Sequence, residues 1–270
     1  MCKLHIRIVY LCFMDQNKPI PMRHIDPAAL MPGLSIDCVI IGFDLKDLNI
    51  LVLKWQDLDF WALPGGFIHQ DEDMDQAATR ILEERSGISL PYLFQFHTFG
   101  NVGRRKNTPD FEILDPDNKK FEVLFTWLRQ RFISTGYLSL LDMRLSNPMP
   151  DLLSESCLWK PLHALPELLF DHNEIVMKAL DQIRIQINHL PIGLSLLPDK
   201  FTMKDLQTLY ESFLNRDLDR GNFQKKMLKL GLLNRLEKKH TGASHKAPYL
   251  YSFNKERYNE LLNQGIGYIS

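Results

Sequence analysis

Hydrophobic positions along this chain follow two rhythms. Ser35–Phe43 (SIDCVIIGF) and Asn49–Leu53 (NILVL) are β-branched and apolar, with turn-prone DLKD between them, which predicts a strand pair. Phe60–Leu63 leads into Pro64-Gly65-Gly66, read as a sharp turn. The spacing then becomes helical over Asp73–Arg85, where Met74, Ala77, Ala78, Ile81 and Leu82 recur three and four apart. Gly87 stands where a helix C-cap belongs. Tyr92–Phe99, Glu122–Leu128 and Arg131–Leu141 predict further strands, and Gly100–Lys120 a long polar loop. Leu158–Leu169 carries two prolines and reads as irregular. Asn173–Ile187 predicts an amphipathic helix with Val176, Leu180, Ile183 and Ile187 on one stripe.

The composition shifts at LPIGLSLLPDKF (190–201), which sets a boundary at about residue 195. Thr202–Asp205 has the form of a capping box, followed by the stripe Leu206, Leu209, Tyr210 and Phe213. Asp219 is a candidate N-cap for a second helix, Arg220–Leu230, stopped by Gly231. Phe223, Met227 and Leu230 would face its core. Leu232–Lys239 and Tyr249–Phe253 read as strands joined by the basic loop HTGASHKAP. Helix, turn, basic helix and basic-tipped hairpin describe a winged helix-turn-helix.

Charge supports that reading. The net charge of −1 divides into +5 over residues 201–270 and −6 over the rest. Residues 220–246 hold eight basic groups and one acid, Glu237; charge alone fits a solvated helix face better, and it points to a polyanion partner only in combination with the helix, turn, basic helix and hairpin order. Candidate DNA contacts are Arg220, Asn222, Gln224, Lys225, Lys226 and Lys229 on the helix, with Lys238, Lys239, His245 and Lys246 on the wing. Lysines and histidines there can reach phosphates while the helix enters the major groove.

The four cysteines, Cys2, Cys12, Cys38 and Cys157, show no metal-finger spacing; reduced, buried thiols in a cytoplasmic protein are expected. No apolar stretch has the length of a membrane span. MCKLHIRIVYLCFM resembles a weak signal sequence without a cleavage site; a start at Met14 or Met22 is the other reading.

The most specific signal is WALPGGFIHQDEDMDQAATRILEERSGI (61–88). It resembles the Nudix signature, G-x5-E-x7-R-E-U-x-E-E-x-G-U with U apolar. Gly66, Glu72, Arg80, Leu82, Glu84, Gly87 and Ile88 fall in register. Two positions depart from it: Ile81 and Arg85 stand where glutamates belong. Positions 81, 84 and 85 share one helix face, the face that holds Mg²⁺ in active Nudix hydrolases. Mg²⁺ demands near-octahedral oxygen ligands. Here Glu84 is flanked by an alkyl chain and by a guanidinium expected to neutralise it. No metal, no cofactor and no useful hydrolysis are expected. Glu72, Arg80 and Glu84 then tie the loop and helix together.

The order Nudix box, connecting helix, winged helix resembles the Nudix-related transcriptional regulators, over about residues 35–260. SIDCVIIGF, ALPGGF, YLFQFHTFG, KFTMKDLQTLYE, LDRGNFQKKML and HKAPYLYSF carry the resemblance. It implies an α+β chain: a Nudix α/β/α sandwich with a mixed sheet, then a winged helix-turn-helix. The expected division is an N-terminal extension (1–30), a Nudix-like effector domain (31–170), a linker helix (171–195) and a DNA-binding domain (196–270). The resemblance also implies a homodimer on double-stranded DNA, with a small-molecule effector in the old substrate cleft. The effector is a sugar such as arabinose in one branch and ADP-ribose in the other. Arg104, Arg105 and Lys106 would suit a diphosphate, whereas Gln95, His97 and Glu84 would suit sugar hydroxyls; the sugar is put first. The effector would shift the linker helix and so the spacing of recognition helices, which must match a DNA turn of about 34 Å. The rivals are an active Nudix pyrophosphatase and a winged helix that binds protein.

Overall fold

The computed structural model describes residues 30–55, 59–89, 93–104, 130–151, 154–187, 192–239 and 247–264. Strand β1 (Leu30–Phe43) is the centre of a seven-stranded mixed sheet. It pairs in parallel with β6 (Ile133–Leu141) from Leu34↔Ile133 to Gly42↔Leu141. Its other edge is shared. β2 (Leu48–Trp55) lies antiparallel against the last residues of β1, and β4 (Gly65–His69) against its N-terminal half. β2 also carries β3 (Trp61–Ala62) and β7 (Ser154–Pro161), and β5 (Phe94–Phe99) pairs with β6.

The alternation of β1 sorts two cores. Ile36, Cys38 and Ile40 pack on Ala77, Ala78, Ile81 and Leu82 of helix α1 (Met74–Ser86). Val39, Ile41 and Phe43 face the other way, onto Ile175, Val176, Ala179, Leu180 and Ile183 of α2 (His172–Gln186). A strand buried on both faces reads as a continuous apolar run, which is the pattern SIDCVIIGF shows. The result is the expected α/β/α sandwich. α2, expected as a linker, is therefore also the second outer layer of the sandwich.

α3 (Met203–Leu214) opens with the anticipated capping box: Asp205 N–H donates to Thr202 Oγ1 at 3.2 Å, and Thr202 N–H to Asp205 Oδ2 at 2.8 Å. α4 (Arg220–Lys229) is capped by Asp219, which accepts from Asn222 N–H at 2.8 Å. Gly231 adopts φ +67°, a left-handed stop that favours glycine. β9 (Leu233–Lys238) and β10 (Tyr249–Phe253) form the wing hairpin. Phe201, Leu206, Leu209, Phe213, Phe223, Met227 and Tyr251 join the apolar cluster of the α2 side through Ile187, Ile192, Leu196 and Leu197. Arg184 of α2 donates to the Phe213 carbonyl of α3 at 2.7 Å.

Two local expectations change, and two further elements are present. The stretch from Leu158, read as irregular, begins inside β7, which pairs along β2 from Trp55↔Ser154 to Asn49↔Pro161. Its mixed composition, SESCLWKP, fits a sheet-edge strand, and Pro161 merely ends it. Gly65 and Gly66 belong to β4 rather than to the turn; they pair with Asp37 and Ile36. Phe201–Thr202 forms a short strand, β8, on β10, and Lys255–Gln264 forms helix α5. Neither was signalled by periodicity. The strand expected at Glu122–Leu128 and most of the loop before it lie outside the described residues.

Candidate functional site

The Nudix loop and helix are built around Arg80. Its Nε donates to Glu72 Oε2 at 2.8 Å, its Nη1 to Glu84 Oε2 at 2.9 Å and its Nη2 to the Phe67 carbonyl at 2.8 Å. Nη2 also bridges to Glu72 Oε1. Glu72 accepts His69 N–H as well, at 2.8 Å. Burial pushes the Glu72 pKa up, but the Arg80 and His69 donors outweigh it and hold the carboxyl below its usual range. Burial likewise disfavours charge on Arg80, but Glu72 and Glu84 raise its pKa further. Arg80, not Arg85, neutralises Glu84. This corrects the expectation, because i,i+4 spacing brings Arg80 onto Glu84 while Arg85 leans away.

Ile81 and Arg85 do not flank an open cleft together. Ile81 is 2% exposed and fills the space a Gly66 side chain would need: a Cβ there would lie 3.0 Å from Ile81 Cγ1. Arg85 donates through Nη1 to Asp151, an ion pair with side chains 14% and 10% exposed. Gly87 caps the helix at φ +67°, its N–H on the Glu83 carbonyl at 2.8 Å.

Octahedral Mg²⁺ requires several converging oxygens. Position 81 supplies a buried alkyl chain, position 85 a cation, and Glu72 and Glu84 are engaged by Arg80. The residues present do not fit the metal that the signature implies. Among the described residues, no group of three or more His, Cys, Asp or Glu side chains is placed to hold a metal ion.

Gln95, His97 and Glu84 were expected to converge on sugar hydroxyls. A β-bulge separates Gln95 from His97. Gln95 pairs with Tyr137, whose ring lies in the core under α1. His97 pairs with Gly136 and meets the Phe99 ring at 4.8 Å, and Phe99 packs into the α2-side core. The bulge thus directs Gln95 and His97 to opposite faces of the sheet.

Arg104 is not presented on an open loop. It is 8% exposed and donates to Asp171 at 2.9–3.2 Å and toward Asp37 at 3.5 Å. Asp37 is also approached by His172 Nε2 at 3.3 Å and accepts from Ser134 Oγ at 2.5 Å. His172 Nδ1 accepts Leu63 N–H at 3.1 Å, so Nε2 carries the ring proton. Burial would raise the Asp37 pKa, but His172, Arg104 and Ser134 together hold it at about 2. Loop position in the sequence gave no sign of these partners, which come from β1, β6 and α2. Arg105 lies outside the described residues.

The second candidate surface is on the winged helix. α4 buries Phe223 and Met227 and exposes Arg220, Asn222, Lys225, Lys226 and Lys229; Gln224 is half-buried. Lys238 and Lys239 are exposed on the wing, and His245 and Lys246 lie outside the described residues. Two wing groups lie outside the candidate contacts: Arg235, counted only within the segment's basic charge, and Tyr249, which charge does not register. Tyr249 is 37% exposed, with Arg235 Cζ at 4.7 Å and Lys238 Nζ at 5.6 Å from its ring centroid. Both cations are within cation–π distance of that one ring.

The free thiols of Cys38 and Cys157 are buried, and burial raises both, Cys157 to about 12. Cys2 and Cys12 lie outside the described residues. No described helix is long and apolar enough to cross a membrane.

Comparison with known proteins agrees with both halves. The family model described as NUDIX domain matches residues 31–180, and that described as NrtR DNA-binding winged helix domain matches residues 193–253. The chain is 28% identical over 235 residues to the ADPR responsive transcriptional repressor NtrR of Acinetobacter baylyi, covering 84% of each. It resembles the crystal structure of Shewanella oneidensis NrtR at TM-score 0.59 and 22% identity, covering 84% of this chain and 96% of that one. A MutT/nudix family protein from Enterococcus faecalis matches at TM-score 0.59 and 20% identity, over 88% of this chain and 90% of that one. The chain therefore belongs to the Nudix family, in the form that joins a Nudix domain to an NrtR-type DNA-binding winged helix.

Proposed function

We propose that this protein is a transcriptional regulator that binds double-stranded DNA through its winged helix and a small-molecule effector through a non-hydrolytic Nudix domain. The observation that carries this is α4: its buried face locks into the core while its cations face outward. Phosphate neutralisation by such a face dominates DNA affinity. The relative from Acinetobacter baylyi, which spans both domains, is named as ADPR-responsive. That favours ADP-ribose over the sugar placed first on sequence alone. The Nudix domain binds rather than hydrolyses because its helix offers no metal-chelating carboxylate face. A homodimer would present two α4 helices to a palindromic operator.

The test is selection of genomic fragments with purified protein, followed by fluorescence anisotropy on the recovered site with ADP-ribose or arabinose added. The expected result is a salt-sensitive affinity that ADP-ribose changes and arabinose does not. Absence of DNA binding at low ionic strength, with Mg²⁺-dependent cleavage of ADP-ribose, would establish the hydrolase instead.

A further inference from the structure

Four buried side-chain N or O atoms find no hydrogen-bond partner among the described residues, and three of them belong to one corner of the Nudix domain: Arg85 Nε, Ser154 Oγ and Trp55 Nε1. Arg85 donates to Asp151, and Ser154 N–H donates to the Asp151 carbonyl at 3.3 Å. Ser154 stands directly opposite Trp55 in the β2–β7 register. The Cys157 thiol, on the same strand, feels the charges of both Arg85 and Asp151. Trp55 and Ser154 are 8% and 5% exposed, so the orphaned donors are enclosed rather than turned to solvent.

All three groups can donate, and buried donors require acceptors. A guanidinium, an indole N–H and a hydroxyl on residues linked through Asp151 and the β2–β7 register favour an anionic, acceptor-rich group. Phosphate meets that demand, since guanidinium and phosphate match as a two-pronged pair. The corner already holds one oxyanion, the Asp151 carboxylate.

We propose that Arg85, with Trp55 and Ser154, forms a metal-free binding site for a phosphate or diphosphate group, and that Asp151 occupies the guanidinium until the ligand displaces it. Arg85 thereby supplies the positive charge that a chelated cation would otherwise bring. The site deepens the effector reading above and rests on it for its role in regulation, not for its chemistry.

The experiment is calorimetric titration of the full chain in the presence of a chelator, with ADP-ribose, inorganic pyrophosphate and arabinose as probes. The variants are Arg85→Ala and Asp151→Asn, each first shown to retain wild-type DNA affinity. ADP-ribose and pyrophosphate are expected to bind wild type without metal. Arg85→Ala should weaken both by about tenfold or more, the range of a lost charge-assisted pair. Asp151→Asn should tighten both several-fold, because a competing anion is gone; a purely structural ion pair would give no tightening. ADP-ribose binding equally well to wild type and Arg85→Ala overturns the site and leaves the effector reading intact. Arg85-dependent pyrophosphate binding, with no ADP-ribose effect on DNA, upholds the site and overturns the effector reading. Failure of both phosphate compounds to bind without metal overturns the site.

Discussion

Arg104 and Asp171, 67 positions apart, form a two-pronged ion pair beneath the sheet: Nε lies 3.2 and 3.0 Å from the two carboxylate oxygens, and Nη2 lies 2.9 Å from Oδ1. The pair fixes the loop after β5 to the residue that precedes α2. Asp37, on the central strand, closes the group with His172 and Ser134. Arg104 thus serves packing in a place where sequence position suggested ligand binding.

Removing Arg104 should expose this dependence. Arg104→Ala leaves Asp37 and Asp171 buried without their cation, and loss of one partner of a buried pair costs about 3–5 kcal/mol. Urea denaturation should show that loss. An Arg104→Ala chain as stable as wild type would contradict the buried network.

Asp37 also sets a pH dependence. Its pKa falls from 3.8 to about 2 on folding, so its stabilisation is complete above 3.8 and disappears as pH falls through 2. The effect is roughly 2 kcal/mol, from the free-energy equivalent of a pKa unit. Melting temperatures across this range should drop less steeply for Asp37→Asn than for wild type, although the variant starts lower.

Restoring the signature glutamate at position 81 should damage the fold instead of awakening activity. Ile81 is 2% exposed and fitted against Gly66. A carboxylate placed there has no donor arranged for it and costs about 3 kcal/mol or more. Ile81→Glu should melt several degrees lower and release no phosphate or AMP from ADP-ribose with Mg²⁺. Activity in the variant would show that the helix still holds a metal-binding face.

On the winged helix, Lys225→Ala and Lys229→Ala remove exposed cations from α4. Each should weaken DNA binding about equally for all sequences and lower the salt slope by roughly one unit. Anisotropy titrations at several salt concentrations read both quantities. An unchanged slope would remove these lysines from the interface.

Much of the architecture was legible because it follows from local rules. The period of apolar residues located α1, α2, α3 and α4, and the caps at Thr202, Asp219 and Gly87 marked their ends. β7 escaped notice because an edge strand with mixed side chains lacks both periodicity and β-branched enrichment. β8 and its pairing to β10 were invisible because two residues carry no pattern.

The sequence alone determined that two glutamates of the Nudix signature are replaced, and that positive charge collects on one helix and its hairpin; both are statements about residue type at fixed spacing. Tertiary structure decided which distant charges meet. Arg85 takes Asp151 and Arg104 takes Asp171, partners separated by up to 67 positions, whereas the tie of Arg80 to Glu72 and Glu84 follows from their spacing around one loop and helix. Ion pairing depends on distance in space and on burial, and chain order specifies neither until the sheet has brought the strands together.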